Sequence, residues 1–331
     1  MGFRFKEGSY YKKIADKKIH CLLCPHSCII GNGEAGICKV RQNINGNLKS
    51  MNYGKVHTSI YEKIEDAGMF HFLPNSDSLS LSLPGTLLKS DFFEKPFDNE
   101  ELENIPSMIR TPSQIIKQIK KTGTKIIIYK GEPIIFYEYL EDVAVTGKKE
   151  KHVVETSGYI NKPAAKALSE KIHGVSITIR TMNAEHYKEL WNGDLDLVLD
   201  TIKTFYDAGV WVEIKMMLIP DVNDSLYGVR RLISWMLSNL SNSVPLHLLA
   251  YFPKDGFREP TSPELLKKAR KIALDAGLDY VYISNTSLIE ENTTFCPNCK
   301  KPAIVRDKEG VHNFLSEGKC SCGKEISGVW G

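Results

Sequence analysis

From about residue 76 to residue 288 the chain alternates short apolar runs with longer amphipathic ones. Residues 78–83 alternate polar and apolar side chains at period two, as a strand with one buried face requires. Runs at 125–129, 153–156, 175–179, 210–219, 245–250 and 280–283 carry the β-branched and aromatic residues of further strands. Between them, apolar spacing near 3.6 predicts helices over 112–122, 134–147, 162–172, 195–208, 224–239 and 262–276. Thr111 before Pro112, Asp224, and Ser262 before Pro263 are suited to cap three of these helices. Repeated strand–helix units imply parallel strands with crossover helices, and roughly six or seven of them suit a partial or full (β/α) barrel.

In such a fold the chemistry sits where strands end. Those ends read Pro84-Gly85-Thr86, Lys130-Gly131-Glu132-Pro133, Ser157-Gly158-Tyr159, Arg180-Thr181, Pro220-Asp221-Val222-Asn223 and Tyr251-Phe252-Pro253. They are poor in acid–base groups. Glu132 is the one carboxylate directly after a strand, where a helix N-terminus alone would favour it, and His247, within a strand, suits a packed core or rim histidine and a site role alike; these two are the polar chemistry an enzyme would have there. No catalytic residue is assigned.

Composition changes this picture little. At 331 residues, 42% hydrophobic and 25% charged, the chain resembles an ordinary globular protein with a sizeable core. A net charge of +3 is too weak to indicate nucleic-acid binding by itself. No run of roughly 18 apolar residues predicts a membrane span, and the opening residues lack the apolar core of a secretion signal. The expectation is a cytoplasmic protein with no membrane partner.

The cysteines carry the most specific signal. Cys21, Cys24, Cys28 and Cys38 are spaced C-x2-C-x3-C-x9-C, and Cys296, Cys299, Cys320 and Cys322 are spaced C-x2-C-x20-C-x-C; these are all eight in the chain. Tight turns aim paired thiolates at one ion, so each set predicts a metal site, with zinc expected at both. The alternative at the first set, with Pro25 beside its second cysteine, is a cubane iron–sulfur cluster. His20 and His26 lie within it but are not needed as ligands. The organisation expected is a four-cysteine module with lead-in over 1–75, a barrel over 76–288, and a zinc-ribbon-like module over 289–331.

The ordered run of motifs resembles the radical S-adenosylmethionine proteins of the AmmeMemoRadiSam system, relatives of the pyruvate formate-lyase activating enzymes. It comprises Cys21 to Arg41 with the following Asn-Gly turn, Tyr53-Gly54-Lys55-Val56, Gly131-Glu132-Pro133 with Glu138-Tyr139, and Gly158-Tyr159-Ile160. It continues through Leu218-Ile219-Pro220 with Asn223-Asp224-Ser225, Asp279 to Tyr282, Cys296-Pro297-Asn298-Cys299 and Gly328-Val329-Trp330. The resemblance implies a barrel of the radical SAM type. It also implies a C-x3-C-x2-C cluster loop after the first barrel strand, but here the matching positions are Thr86, Ser90 and Phe93. Serine and threonine ionise far less readily than cysteine, and phenylalanine cannot ligate. Two further departures are Thr178 and Arg180 in place of Asp-x-Lys, and Ala250 to Pro253 in place of an Arg-Phe-His-Pro run. Gly131, Glu132 and Pro133, similar to the family's methionine-binding segment, remain as a residual S-adenosylmethionine site, although binding of that cofactor is not expected.

The resulting expectation is a non-catalytic radical-SAM-like pseudoenzyme that works with a protein partner, either an active paralogue or another assembly. One alternative is a SAM-binding or iron–sulfur redox enzyme that uses the N-terminal cysteines. Another is a zinc-dependent nucleic-acid or ribosome-associated protein, suggested by Lys300, Lys301, Arg306, Lys308, Lys319 and Lys324 with Phe295 and Phe314.

Overall fold

The computed structural model describes residues 5–85, 87–89, 105–253 and 259–331. The positions aligned with the family's cluster ligands, Thr86, Ser90 and Phe93, lie outside the described residues.

The chain divides into two compact units, each made of several segments. In the first unit, residues 1–62 supply two small antiparallel sheets. One pairs Tyr11–Lys13, Ile19–Cys21 and Ile29–Ile30; the other pairs Lys6–Glu7, Asn47–Ser50 and Arg41–Ile44. The hairpin joining the last two turns at Asn45 and Gly46, with φ of 54° and 78°. Positive φ at both central positions makes the turn whose twist matches the strands, which is why Asn-Gly occupies it.

The same unit holds the strands β1 (Thr58–Lys63), β2 (Asp77–Ser82), β3 (Ile126–Lys130) and β4 (Lys151–Thr156), side by side in that order. β2 runs parallel to β3 and β3 parallel to β4, with Ser78, Ser80 and Ser82 level with Ile126, Ile128 and Lys130. Its helices are α1 (Pro112–Thr122), α2 (Tyr137–Thr146), α3 (Lys162–Ser169), α4 (Ala184–Trp191) and α5 (Leu195–Asp207). α1 opens with a reciprocal box in which Thr111 and Gln114 each satisfy the other's backbone N–H. It buries Ile115, Ile116 and Ile119, spaced for a single helical face.

The second unit holds most of β5 (Gly174–Ile179), then β6 (Trp211–Leu218), β7 (Leu246–Ala250) and β8 (Val281–Ile283). β6, β7 and β8 are parallel neighbours in register, with Lys215 level with His247 and His247 level with Tyr282. Helices α6 (Leu226–Asn239) and α7 (Pro263–Asp275) make the crossovers between them. The fold is thus α/β with parallel strands joined by helices, as the periodicity predicts.

Three local expectations change. α6 is capped by Ser225 accepting from Tyr227 N–H, not by Asp224. The helix expected over 134–147 begins as a tighter 3-10 turn at Pro133–Phe136 before α2. β1 and α4 were not anticipated: β1 has exposed Ile60 and Tyr61 at adjacent positions and breaks strict alternation. Among the described residues, no helix is long and apolar enough to cross a membrane.

Candidate metal centres

The C-terminal cysteines sit on two knuckles flanking a small antiparallel sheet of Thr294–Phe295, Pro302–Asp307 and Gly310–Asn313. In the first knuckle Lys300 N–H bonds back to Cys296 O; in the second Gly323 N–H bonds back to Cys320 O. Both knuckles close on a left-handed residue, Gly323 at φ +85° and Lys300 at φ 58°, so only the first bears the cost of a side chain there. Sγ of Cys296 lies 3.7 Å from that of Cys322, and Cys299 lies 3.6 Å from Cys320. All four sulfurs lie within 4.8 Å of one another. Bonds of about 2.3 Å to one tetrahedral ion set sulfurs about 3.8 Å apart, so the donor set fits a single ion of zinc type. Lys324 N–H and the Asn298 amide draw the Cys322 thiol down to about 6, towards the thiolate that metals bind.

Cys296 and Cys320 are buried with Phe70, Tyr280, Tyr282 and Ile326, so this module shares its core with β8 and residues 63–76 of the same unit. A polar network reinforces the junction. Arg306 donates to Phe70 O (2.6 Å), Asn292 O and Thr294 Oγ1, and its guanidinium lies 4.0 Å from the Phe70 ring centre. Thr294 Oγ1 meets Tyr282 OH at 2.8 Å, and Tyr282 OH meets His71 Nε2 at 2.6 Å. His71 Nδ1 must donate to Ser327 O, so its Nε2 accepts from Tyr282. Arg306, counted above among the basic side chains for nucleic acid, is therefore buried structure and unavailable to a phosphate.

Beside it, Glu213 on β6 accepts from Phe70 N–H, His71 N–H, Trp211 Nε1 and His247 Nε2, all at 2.7–3.0 Å. His247 is thus a core histidine fully out of water, and its Nδ1 has no partner. Burial opposes ionising Glu213, but the His247 bond, the neighbouring histidines and Trp211 outweigh it and hold the carboxyl down to about 2. Burial pushes His71 down to about 4.

Both shifts act in the same direction. A histidine near 4 in the folded chain and near 6.5 unfolded binds its proton preferentially in the unfolded state, so stability falls as pH drops from 6.5 to 4, by about 3 kcal/mol in full. The Glu213 contribution is present above 4.5 and is lost as pH falls towards 2. Urea midpoints at pH 7, 5.5 and 4.5 are expected to decline steadily. A flat profile over that range would remove the buried histidine as the cause.

The N-terminal cysteines face one enclosed pocket walled by Leu23, His26, Ile30, Arg41, Leu87 and Ile135, among others. Backbone N–H groups point at the sulfurs: His26 at Cys24, Ile37 at Cys28, and Val40 with Arg41 at Cys38. Burial pushes the thiols of Cys24, Cys28 and Cys38 up, an unfavourable state for thiolates without a cation. Asn161 Nδ2 pins the first turn through Leu22 O and Cys24 O. His26 Nε2 contacts Leu87 O at 2.8 Å, placing this turn against the segment that follows β2. Among the described residues the grouping of thiols within 4.8 Å is that of the C-terminal set, and the four N-terminal cysteines line one pocket.

Arg41 was quoted in the sequence only as part of a motif. Its Nη1 grips both oxygens of Glu138 at 2.8 and 2.9 Å and its Nη2 donates to Ser9 O, with both side chains out of water. The sequence signal for the pair was the arginine three positions after Cys38 and the glutamate at the start of an apolar helix.

At the strand ends, Gly131 turns at φ +84° and Glu132 follows, nearly buried. Its Oε1 accepts from Thr156 Oγ1 at 2.6 Å, and its Oε2 accepts from Ser157 N–H at 3.1 Å and from the Ser157 hydroxyl. Burial raises its pKa although all three bonds oppose the rise. Glu132 is thus held by the end of β4 and is more than a helix-dipole ornament.

A model of the radical SAM superfamily matches residues 98–233. The uncharacterized protein MJ0808 of Methanocaldococcus jannaschii is 34% identical over 334 residues, spanning 97% of this chain and 98% of that one. Among solved structures, a domain of a pyruvate-formate lyase-activating enzyme from Bacteroides vulgatus is 18% identical over 47% of this chain and 96% of its own, with a TM-score of 0.39. A radical SAM methyltransferase from Sphaerobacter thermophilus is 16% identical over 64% and 67%, with a TM-score of 0.49. The chain thus carries a radical SAM superfamily domain over residues 98–233 and belongs to the same family as MJ0808, to which it is related along nearly its whole length.

Proposed function

We propose that this chain is an AmmeMemoRadiSam-like member that has given up radical chemistry and acts as a partner or regulatory subunit in a protein assembly, stapled by two metal sites. The carrying observation is the cysteine inventory. The family's three cluster positions are Thr86, Ser90 and Phe93, and the eight cysteines form two sets elsewhere in the chain. A hydroxyl, a hydroxyl and a phenyl ring do not fit a cluster that reductively cleaves S-adenosylmethionine. The cofactor therefore carries no step here.

In this reading the C-terminal ion is zinc, chosen by four thiolates at tetrahedral spacing. Gly131, Glu132 and Pro133 have a structural use, since Glu132 ties the end of β3 to β4. The cellular setting is cytoplasmic, where thiols stay free to bind metal.

The test is reductive cleavage. Protein purified without oxygen and given dithionite and S-adenosylmethionine is expected to release no 5′-deoxyadenosine, while affinity purification from its native cell brings down one stoichiometric protein. Release of 5′-deoxyadenosine at several turnovers, or a chain that always elutes alone, would end this reading.

A further inference from the structure

We propose that the groove between α1 and the end of α2 is a docking surface for an acidic segment of a partner protein, held there by lysines. The inference names the kind of partner that the proposed assembly role requires and rests on that reading.

The groove has a volume of ≈ 410 Å³ and is lined by Ser113, Ile116, Lys117, Lys120, Lys121 and Thr146. Lys117, Lys120 and Lys121 stand three and four positions apart, so they share one face of α1. Gly147, which follows Thr146, is packed so closely that a Cβ there would lie 2.3 Å from Cδ1 of Ile116. The turn that then carries Lys148 and Lys149 is thereby seated against the same helix. All five lysines are exposed, and among the described residues none of them has an acidic partner.

The acids of the neighbouring elements are engaged elsewhere. Glu138 meets Arg41, Glu141 meets Lys171, Asp142 meets Lys6, and Glu132 is held by Thr156 and Ser157. Glu150, in the turn itself, balances at most one of the five charges. Lysines are favoured at a helix C-terminus, and Lys120 and Lys121 are in the last turn of α1. That dipole amounts to only about half a charge, however, and leaves most of the cluster uncompensated. The whole chain carries +3, so this concentration is local and does not reflect a uniformly basic surface. Carboxylates laid along the groove would relieve the repulsion between the lysines.

Two features favour a polypeptide over a nucleic acid. The lining has neither an arginine fork nor an aromatic ring, the groups that grip phosphates in pairs and stack on bases. Its floor is Ile116, flanked by lysine stems, an apolar strip that suits protein side chains. The place also suits docking. α1 leads into β3 and α2 into β4, so the groove lies at the N-terminal ends of those strands, opposite Gly131 and Glu132. A partner held there leaves those strand ends uncovered.

The experiment is fluorescence anisotropy on the full chain with two labelled probes of equal charge, a peptide alternating glutamate with leucine and a single-stranded RNA. The expected result is peptide binding that weakens steeply with added salt, and binding about tenfold weaker on Lys117→Glu with Lys120→Glu and Lys121→Glu. The three positions are exposed, so that variant is expected to keep the wild-type melting temperature. Lys267→Glu with Lys268→Glu and Lys271→Glu makes the same change of charge on exposed positions of α7 and is expected to bind like the wild type. Equal losses in the two variants, or no peptide binding, would overturn the docking surface. RNA bound more tightly than the peptide would overturn the protein partner in favour of a nucleic acid. Binding seen only after Glu100→Gln, Glu101→Gln and Glu103→Gln would also overturn it, by assigning the groove to the chain's own acidic stretch at 98–103, which lies outside the described residues. All of these outcomes are read on the purified chain, so co-purification and 5′-deoxyadenosine release judge the proposed function separately.

Discussion

Cys296→Ser is expected to release the C-terminal ion and unfold residues from 294 onward, with an effect on the order of 10 kcal/mol, the binding energy that structural zinc supplies to small modules. That is comparable to the whole stability of an ordinary domain. The module has too little apolar surface to fold without its ion: three short strands and two knuckles. Its core is also not private, because Cys296 and Cys320 pack with Phe70, Tyr280 and Tyr282. Loss of the ion is therefore expected to loosen β8 and the segment around Phe70 too. Limited proteolysis and near-ultraviolet circular dichroism, with and without a strong chelator, would read this directly. A chelated or Cys296→Ser protein with unchanged protease resistance would show the ion to be dispensable.

The second large effect is expected at Glu213. Glu213→Leu is predicted to cost about 3–5 kcal/mol in urea unfolding, because it strands buried donors that have no water to turn to. Four of them lose their acceptor together: Phe70 N–H, His71 N–H, Trp211 Nε1 and His247 Nε2. Removal of an exposed partner makes the contrast. Lys271 and Asp275 also form an ion pair, one helical turn apart and largely in water, so Lys271→Ala is expected to change stability by only about 0.5 kcal/mol or less. Equal effects for the two variants would contradict the burial argument.

Much of the architecture was legible along the chain. The strands at 126–130, 151–156 and 246–250 follow runs of β-branched and apolar residues that suit only buried sheet. Thr111 and Ser262 cap helices because each stands before a proline at the first helical position, an arrangement that is local by nature. β1 was missed because an edge strand need not alternate when both its faces meet water in places. His247 stood undecided between a packed histidine and a site role until its buried partner Glu213 was known.

Of the candidate sites, the sequence by itself showed the paired spacings of the eight cysteines and the hydroxyl and phenyl side chains at Thr86, Ser90 and Phe93. Such spacings are local, since a single turn aims both side chains. Tertiary structure alone decided which charges became buried and with whom. Arg41 meets Glu138 across 97 positions, Arg306 meets Phe70 O across 236, and Glu213 gathers the chain at residues 70 and 71. It also decided how closely the C-terminal sulfurs approach one another. Such distances depend on how remote segments pack, and a local pattern carries no record of that.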